Sequence, residues 1–217
     1  MSSESSEAYF DSLAHRWSEL TLRSERFQQR YRELENQIRE HAQDRFRVLD
    51  YGCGTGTMCD VLSSYSRAVI GTDQSREMRE LARKRLIDNP LVRIVEIDEV
   101  QRYHFDLVLC SSVIEYVAND VAFLKDLTTY LAPRGTLMIT FPNRFGAVQL
   151  LQRYVLSRFD SGSYIHQQRN TYSRRSIRKL VEGAGLQLRG LYAPVGLPGF
   201  RQVGLGDLIF CIAQKPT

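Results

Sequence analysis

Three glycines, Gly52, Gly54 and Gly56, follow a short apolar run in the stretch RVLDYGCGTG, each two residues after the last. Glycine tolerates a left-handed backbone and lacks a Cβ, so such a loop can turn tightly and let a ligand approach the main chain. Asp50 stands just before the loop and could accept hydrogen bonds from a cationic ligand or orient the loop. The spacing therefore predicts a site where the backbone contacts a small molecule.

A dinucleotide would require a different loop, with the pattern G-x-G-x-x-G or G-x-G-x-x-A. Here Thr57 stands at the last position of that pattern, and the third glycine comes one residue earlier, at Gly56. A dinucleotide fold holds its pyrophosphate at a helix N-terminus. The acidic Asp50 would repel a pyrophosphate and would suit an ammonium group, so the loop disfavours a dinucleotide oxidoreductase.

Acidic residues also end the next two predicted strands. Asp73, 17 residues after Gly56, ends VIGTD and can accept both hydroxyls of a ribose. Asp98, in EIDEV, could accept from an adenine amine, and Tyr116 and Met78 offer flat or soft apolar surface. A ligand with an ammonium group, a ribose and an adenine, but no phosphate, is S-adenosylmethionine.

The elements that must position these residues alternate from Phe46 onward. Short apolar runs predict strands in FRVLDY, AVIGTD, VRIVEID, FDLVLCS, GTLMITF, LQLRGLYAP and LGDLIFCIAQ. Between them, TMCDVLSSY, SREMRELARKRLID, DVAFLKDLTTYL and SRRSIRKLVEGAG predict helices, with Ser75 and Ser173 as N-caps. This alternation indicates an α/β fold with a parallel sheet covered on both faces, which binds ligands at the carboxyl ends of its strands.

The segment before the core predicts two helices, because Phe27, Tyr31, Leu34 and Ile38 recur at helical spacing and YFDSLAHRW is rich in aromatic residues. We expect residues 1–44 to form a helical arm or lid and residues 45–217 to form the core. Residues 143–171 exceed a minimal link between strand five and the next helix. They predict a substrate lid, with a surface-packed helix or a basic amphipathic helix that touches a membrane as the alternatives.

Four motifs in order, VLDYGCGTG, VIGTDQS, FDLVLCSSVIEYV and LAPRGTLMITFPN, resemble those of class I S-adenosylmethionine-dependent methyltransferases, and the resemblance runs from Phe46 to Gln214. Within that superfamily, YFDSLAHRW, TFPNR and YSRRSIRKLVEGAGL are similar to ubiquinone-biosynthesis-type small-molecule O-methyltransferases. Magnesium-protoporphyrin methyltransferases look similar in the same places. The resemblance implies a Rossmann-like, seven-stranded sheet in the order 3-2-1-4-5-7-6, with strand 7 antiparallel and helices on both faces.

The resemblance also implies roles for single residues. The three glycines would pass under the methionine portion of the cofactor, Asp73 would bind the ribose, and Gln74 and Met78 would flank the adenosine. The remaining assignments are Asp98 and Glu99 at the adenine edge, Cys110 and Ser111 on the sulfonium side, and Arg26 or Arg30 at the cofactor carboxylate.

One motif departs from the ubiquinone-type pattern, which has two acidic residues and a histidine after strand four. This chain keeps Glu115 but has Ser112 and Tyr116 at the other two places, so we expect no metal site. Methyl transfer is an in-line displacement that depends mainly on positioning, and a general base helps when the acceptor is a phenol or an alcohol.

Three side chains are candidates for contact with the reacting groups. His166 and His15 could face the methyl group if their segments close over the site, and each is otherwise a surface histidine. Tyr116 could touch substrate or cofactor, and is otherwise a core tyrosine.

Charge and composition limit the kinds of molecule on which the protein could act. Between Arg144 and Arg189, nine basic residues stand against two acidic ones, a local charge of +7 that suits an anionic acceptor or a solvated face. An RNA or protein methyltransferase that uses residues 144–189 is the alternative, disfavoured because CSSVIE stands where Asn-Pro-Pro-Tyr would be. A binding protein without activity is disfavoured by the intact glycines and Asp73.

The four cysteines form no C-x-x-C pair and predict reduced thiols. The polar N-terminus predicts no signal peptide, and no apolar run is long enough to span a membrane. We therefore expect a cytoplasmic enzyme acting on a small anionic or aromatic molecule, with peripheral membrane contact as an option.

Overall fold

One seven-stranded sheet lies at the centre of the computed structural model, which describes residues 6–41, 46–146, 170–195 and 206–217. The strands are β1 Arg47–Tyr51, β2 Ala68–Thr72, β3 Val92–Ile94, β4 Phe105–Cys110, β5 Leu131–Pro142, β6 Gln187–Val195 and β7 Leu208–Gln214. Their order is β3-β2-β1-β4-β5-β7-β6, and β7 is antiparallel to both of its neighbours. The predicted fold class and strand order are confirmed.

Helices cover both faces of the sheet. They are α1 Ser6–Arg23, α2 Glu25–His41, α3 Thr57–Ser63, α4 Arg76–Arg85, α5 Asp120–Tyr130 and α6 Arg174–Gly183, with short 3-10 helices at Ile97–Arg102 and Ile114–Tyr116. Successive side chains of a strand point to opposite faces. Accordingly, Val48 packs with residues of α2 and α3, whereas Leu49 packs with residues of α5 and α6.

The helix caps follow the sequence. Ser75 Oγ accepts a hydrogen bond from Met78 N at 3.1 Å, and Ser173 Oγ accepts from Ser176 N at 3.1 Å, as predicted. Strand β5 begins earlier than predicted, because Leu131 already pairs with Phe105 before a register shift around the turn. The four cysteines are free and buried.

Both predicted arm helices are present. Helix α2 packs on the sheet through Leu34 and Ile38, which are 1% and 0% exposed, and α1 buries Ala14. None of the helices in the described ranges is long and apolar enough to cross a membrane. Of the predicted lid at 143–171, residues 147–169 lie outside the described residues.

Gly56 shows how tightly the loop is packed against α4. A Cβ at this residue would lie 2.7 Å from Leu86 Cδ1 and 3.1 Å from Ala82 Cβ, and its φ is +80°. We expect Gly56→Ala to lower the free energy of unfolding by about 1–3 kcal/mol, because a left-handed backbone strains an alanine and the neighbours must move. Chemical denaturation measures the change.

Gly183→Ala is the matched control, since a Cβ at Gly183 would meet nothing within 4 Å. Alanine there should be neutral or should stabilise by up to about 1 kcal/mol. Equal stability of the two variants would contradict this account of Gly56.

Candidate cofactor and active site

The glycine loop leaves β1 at its carboxyl end and turns into α3. Gly52, Gly54 and Gly56 all have positive φ, at +78°, +54° and +80°, so the turn requires the backbone freedom that the sequence suggested. Gly52 N and Cys53 N both donate to Thr72 O, at 2.8 and 2.9 Å, which ties the loop to the end of β2. The loop therefore lies where parallel sheets bind ligands.

A Cβ atom added at each of the three glycines would meet different neighbours. At Gly52 a Cβ would overlap Val113, and at Gly56 it would press on α4, so packing alone accounts for glycine at both positions. At Gly54 the nearest atom is Trp17 Nε1, at 3.5 Å, an ordinary contact distance. Space would therefore allow a Cβ at Gly54, and its φ of +54° accounts for the glycine. The predicted contact of the three glycines with a methionine portion stays a prediction.

Asp73 holds the loop in this shape. Its Oδ2 accepts from Gly54 N at 2.9 Å, and its Oδ1 accepts from Ser75 N at 2.9 Å. Burial raises the pKa of Asp73, and these two backbone donors oppose the rise. Each carboxylate oxygen can accept more than one hydrogen bond, so Asp73 can hold the loop and still accept from the hydroxyls of a ribose.

Asp50 lies under the loop and is 2% exposed. It accepts a hydrogen bond from Cys59 Sγ at 3.2 Å. Burial raises the pKa of Asp50 to about 7, and the charge of Asp73 adds to the rise. A positive group bound near this pair of carboxyls would favour their ionised forms, which suits a ligand that carries ammonium and sulfonium charges.

A second polar cluster, formed by Arg30, Ser112 and Glu115, lies just past the end of β4. Arg30 is 8% exposed and donates from Nη1 to Ser112 Oγ at 2.6 Å. Ser112 has φ +58° and donates its N–H to Thr140 Oγ1 at 2.9 Å. Non-glycine residues in a left-handed conformation cluster at functional sites, although Arg134, in the turn of β5, also has φ +64°.

Glu115 is the carboxyl group of this cluster and is 2% exposed. Burial raises its pKa to about 7, while hydrogen bonding and the nearby charge of Arg30 oppose the rise. Within the described residues, Arg30 Nε, Ser111 Oγ and Glu115 Oε2 are buried without a hydrogen-bond partner. Because buried polar atoms are nearly always paired, these three atoms mark the cluster as a candidate binding site.

Aromatic rings surround the same region. The guanidinium of Arg30 lies 4.4 Å from the ring centroid of Phe27. Phe10 meets Tyr116 edge to face at 5.1 Å between centroids, and it meets Trp17 at 5.9 Å. The site thus combines a carboxyl group near neutral pKa, a guanidinium and flat apolar surfaces.

The other predicted cofactor residues occupy varied surroundings. Gln74 and Asp98 are exposed, and Glu99 pairs with Arg93 at 3.3 Å. Met78 is buried, at 1% exposure. Their contact with adenosine stays a prediction. Cys110 is buried in the core, where burial raises its thiol pKa well above the usual range, so the thiol remains protonated.

The three predicted catalytic residues do not lie together in the structure. Tyr116 is half-buried and contacts Phe10, beside the second cluster. His15 is 74% exposed, and its Nε2 lies 3.8 Å from Glu77 Oε2, so the structure directs it to α4. His166 lies outside the described residues, as does the side chain of Arg26.

Sequence reasoning missed the partnership of Arg30 with Ser112 and Glu115, and it missed Trp17 over Gly54. A signal for the first was present, because Arg30 precedes Leu34 by four residues and so lies on the buried face of α2. An arginine on an apolar helical face is a candidate for a buried ion site. No comparable signal pairs Trp17 with Gly54.

Comparison with known proteins also indicates a methyltransferase. The family model described as "Methyltransferase domain" matches residues 19–190. A ubiquinone biosynthesis O-methyltransferase of Bradyrhizobium diazoefficiens is 36% identical over 104 residues, covering 45% of this chain and 40% of that protein. One from a Chelativorans species is 26% identical over 184 residues, covering 79% of this chain and 72% of that protein.

Among solved structures, the magnesium protoporphyrin IX methyltransferase of Synechocystis PCC 6803, with bound S-adenosylhomocysteine, aligns with a TM-score of 0.74. The two chains are 16% identical, and the alignment covers 96% of this chain and 97% of that one. This likeness concerns the fold. The glycine loop with its positive φ angles, the acidic pair Asp50 and Asp73 and the matched family model agree on one cofactor, S-adenosylmethionine, and the chain belongs to the methyltransferase domain family.

Proposed function

We propose that the protein transfers the methyl group of S-adenosylmethionine to an oxygen atom of a small hydroxylated acceptor that is aromatic or anionic. The observation that carries this proposal is the buried carboxyl group of Glu115, whose Oε2 has no partner among the described residues and whose pKa is near 7. A general base works best when its pKa lies near the working pH. The O-methyltransferase names of the matched relatives support the same chemistry.

In this proposal, two residues of the cluster formed by Arg30, Ser112 and Glu115 have separate roles in the reaction. When bound, the cofactor supplies an electrophilic methyl group, and its sulfur keeps the electrons of the broken carbon–sulfur bond. Glu115 Oε2 accepts the proton that leaves the acceptor hydroxyl. Arg30 Nε, a buried donor without a partner in the described part of the chain, stabilises the negative charge that develops on the acceptor oxygen. In this proposal Arg30 serves the acceptor, and contact with the cofactor carboxylate stays a prediction for Arg26. The proton then passes from Glu115 to solvent.

The nature of the acceptor follows from its surroundings. Phe10 and Tyr116 meet edge to face and offer flat apolar surface to an aromatic ring. The basic residues between Arg144 and Arg189 suit a carboxylate or phosphate on the acceptor. The same proposal includes a cytoplasmic protein, since its four cysteines are free, and a lid formed by residues 143–171.

The alternative, methylation of RNA or protein through the basic 144–189 region, has weaker support. Arg178 pairs with Glu182 at 3.3 Å, and Arg174 donates to Leu191 O at 3.0 Å, so two of these cations are engaged within the chain. A phosphate backbone would need several exposed cations along one track.

Product analysis tests the proposal. The protein is incubated with S-adenosylmethionine and, in separate reactions, with hydroxylated benzoates, hydroxycinnamates, quinols, total RNA and a mixed protein extract. We expect a methyl ether on one hydroxylated aromatic class, identified by mass spectrometry and NMR. Methylation of RNA or protein alone, or of a nitrogen atom, would overturn it.

A further inference from the structure

Helix α1 packs beside the glycine loop and the start of α4. Its Trp17 places Nε1 3.5 Å from the point where a Cβ on Gly54 would stand. Trp17 also packs edge to face on Phe27 of α2, at 5.7 Å between centroids. The indole therefore covers Gly54, and a molecule that binds against the Gly54 backbone must contact or displace it.

The same helix joins the glycine loop through a chain of hydrogen bonds. Asp11 Oδ1 accepts from Ser75 Oγ and from Glu77 N, the latter at 3.3 Å. Ser75 N donates to Asp73 Oδ1, and Gly54 N donates to Asp73 Oδ2. Two residues, Ser75 and Asp73, thus connect Asp11 to the backbone of Gly54 by hydrogen bonds.

Asp11 also acts through its charge. It lies close enough to Asp73 to raise the pKa of that carboxyl group. Together with Asp50 it makes this end of the sheet acidic, which opposes an anion and favours a cationic ligand. Phe10, one residue earlier, packs on Tyr116, so α1 contacts the segment after β4 as well as the start of α4.

We propose that α1 forms a wall of the cofactor site, in which Trp17 contacts the bound cofactor at Gly54 and Asp11 is a positioning residue that acts through Ser75 and Asp73. Cofactor affinity then depends on a docked α1. This inference rests on the cofactor of the family and is independent of which acceptor is methylated.

Trp17 is the sole tryptophan of the chain and supplies a direct readout. The full-length protein is titrated with S-adenosylhomocysteine while tryptophan emission is recorded, and calorimetry measures the same binding. We expect a saturable change in emission whose midpoint matches the calorimetric Kd. Calorimetric saturation with unchanged emission would overturn the role of Trp17.

Asp11→Ala tests the second half of the proposal, and Glu7→Ala, at an exposed acidic residue of the same helix, is its control. We expect Asp11→Ala to weaken S-adenosylhomocysteine about tenfold, which corresponds to about 1.4 kcal/mol, and Glu7→Ala to leave the affinity unchanged. Asp11→Asn keeps an acceptor without charge and should fall between them. Equal affinity of Asp11→Ala and Glu7→Ala, with both folded by circular dichroism, would overturn the role of Asp11. Should Asp11→Ala not fold, Asp11→Asn decides the matter, and wild-type affinity in that variant would overturn the role as well.

Discussion

Asp73→Ala is expected to weaken the binding of S-adenosylhomocysteine by about a hundredfold. The carboxylate accepts from Gly54 N and from Ser75 N, both at 2.9 Å. Its removal leaves two backbone donors without an acceptor, releases the loop and removes the group that we expect to hold the ribose. Hydrogen bonds to charged groups contribute about 1.5–3 kcal/mol each, and a hundredfold change is about 2.7 kcal/mol. Isothermal titration calorimetry measures the affinity.

Two variants sharpen this experiment. Asp88→Ala removes an exposed aspartate after α4 and should bind like wild type. Asp73→Asn keeps one acceptor oxygen and should lose only part of the affinity. NAD should not bind any of these proteins. Undiminished affinity in Asp73→Ala would disprove the ribose assignment.

Glu115→Gln is expected to slow methyl transfer by about 10²–10⁴-fold, the usual contribution of a general base. Glutamine keeps the shape of the side chain but cannot take a proton from the acceptor. Because glutamine preserves the size and packing of this buried side chain, which lies beside the glycine loop, affinity for S-adenosylhomocysteine should be unchanged. Single-turnover rates with the acceptor found by product analysis measure the effect.

The pH dependence separates a base from a structural carboxyl group. The wild-type rate should rise as pH passes about 7, where Glu115 loses its proton, and should then level off. The pKa of Glu115 is raised in the folded protein, so folding is favoured by the protonated form and stability falls as pH rises from 4.5 to about 7. Glu115→Gln should lack the trend in rate. Its stability should fall less steeply over this range but should still fall, because burial also raises the pKa of Asp50 to about 7.

Glu182→Gln, at an exposed glutamate of α6, is the control and should keep the wild-type rate and pH profile. A Glu115→Gln enzyme with the wild-type rate at every pH would show that the acceptor needs no base at this position. A carboxylate acceptor would behave in that way.

Local signals were enough to predict the α/β class and its elements, whereas the strand order was implied by the family resemblance. Strands β1 and β2 are short apolar runs ended by a glycine or an acid, and the caps Ser75 and Ser173 stand where a helix must start. Each of these signals depends on residues a few positions apart. The positive φ of Gly54 likewise follows from its place in a tight turn.

The second cluster depends on contacts that sequence spacing does not encode. Arg30 and Ser112 are 82 positions apart, and Asp11 and Ser75 are 64 apart. Both pairs form only because α1 and α2 dock on the core, and docking is a tertiary property of whole helix faces. His15 was a candidate because its type suits catalysis, yet its position on α1 turns it toward Glu77.

The contact between Arg30 and Ser112 has an evolutionary consequence, because it makes the N-terminal helices and the sheet a single inherited unit. A polypeptide beginning at Phe46 would retain every strand of the fold, yet it would bury Glu115 without its neighbouring cation. Exchange of this arm between homologues by recombination should therefore succeed only when the arginine and its serine are transferred together.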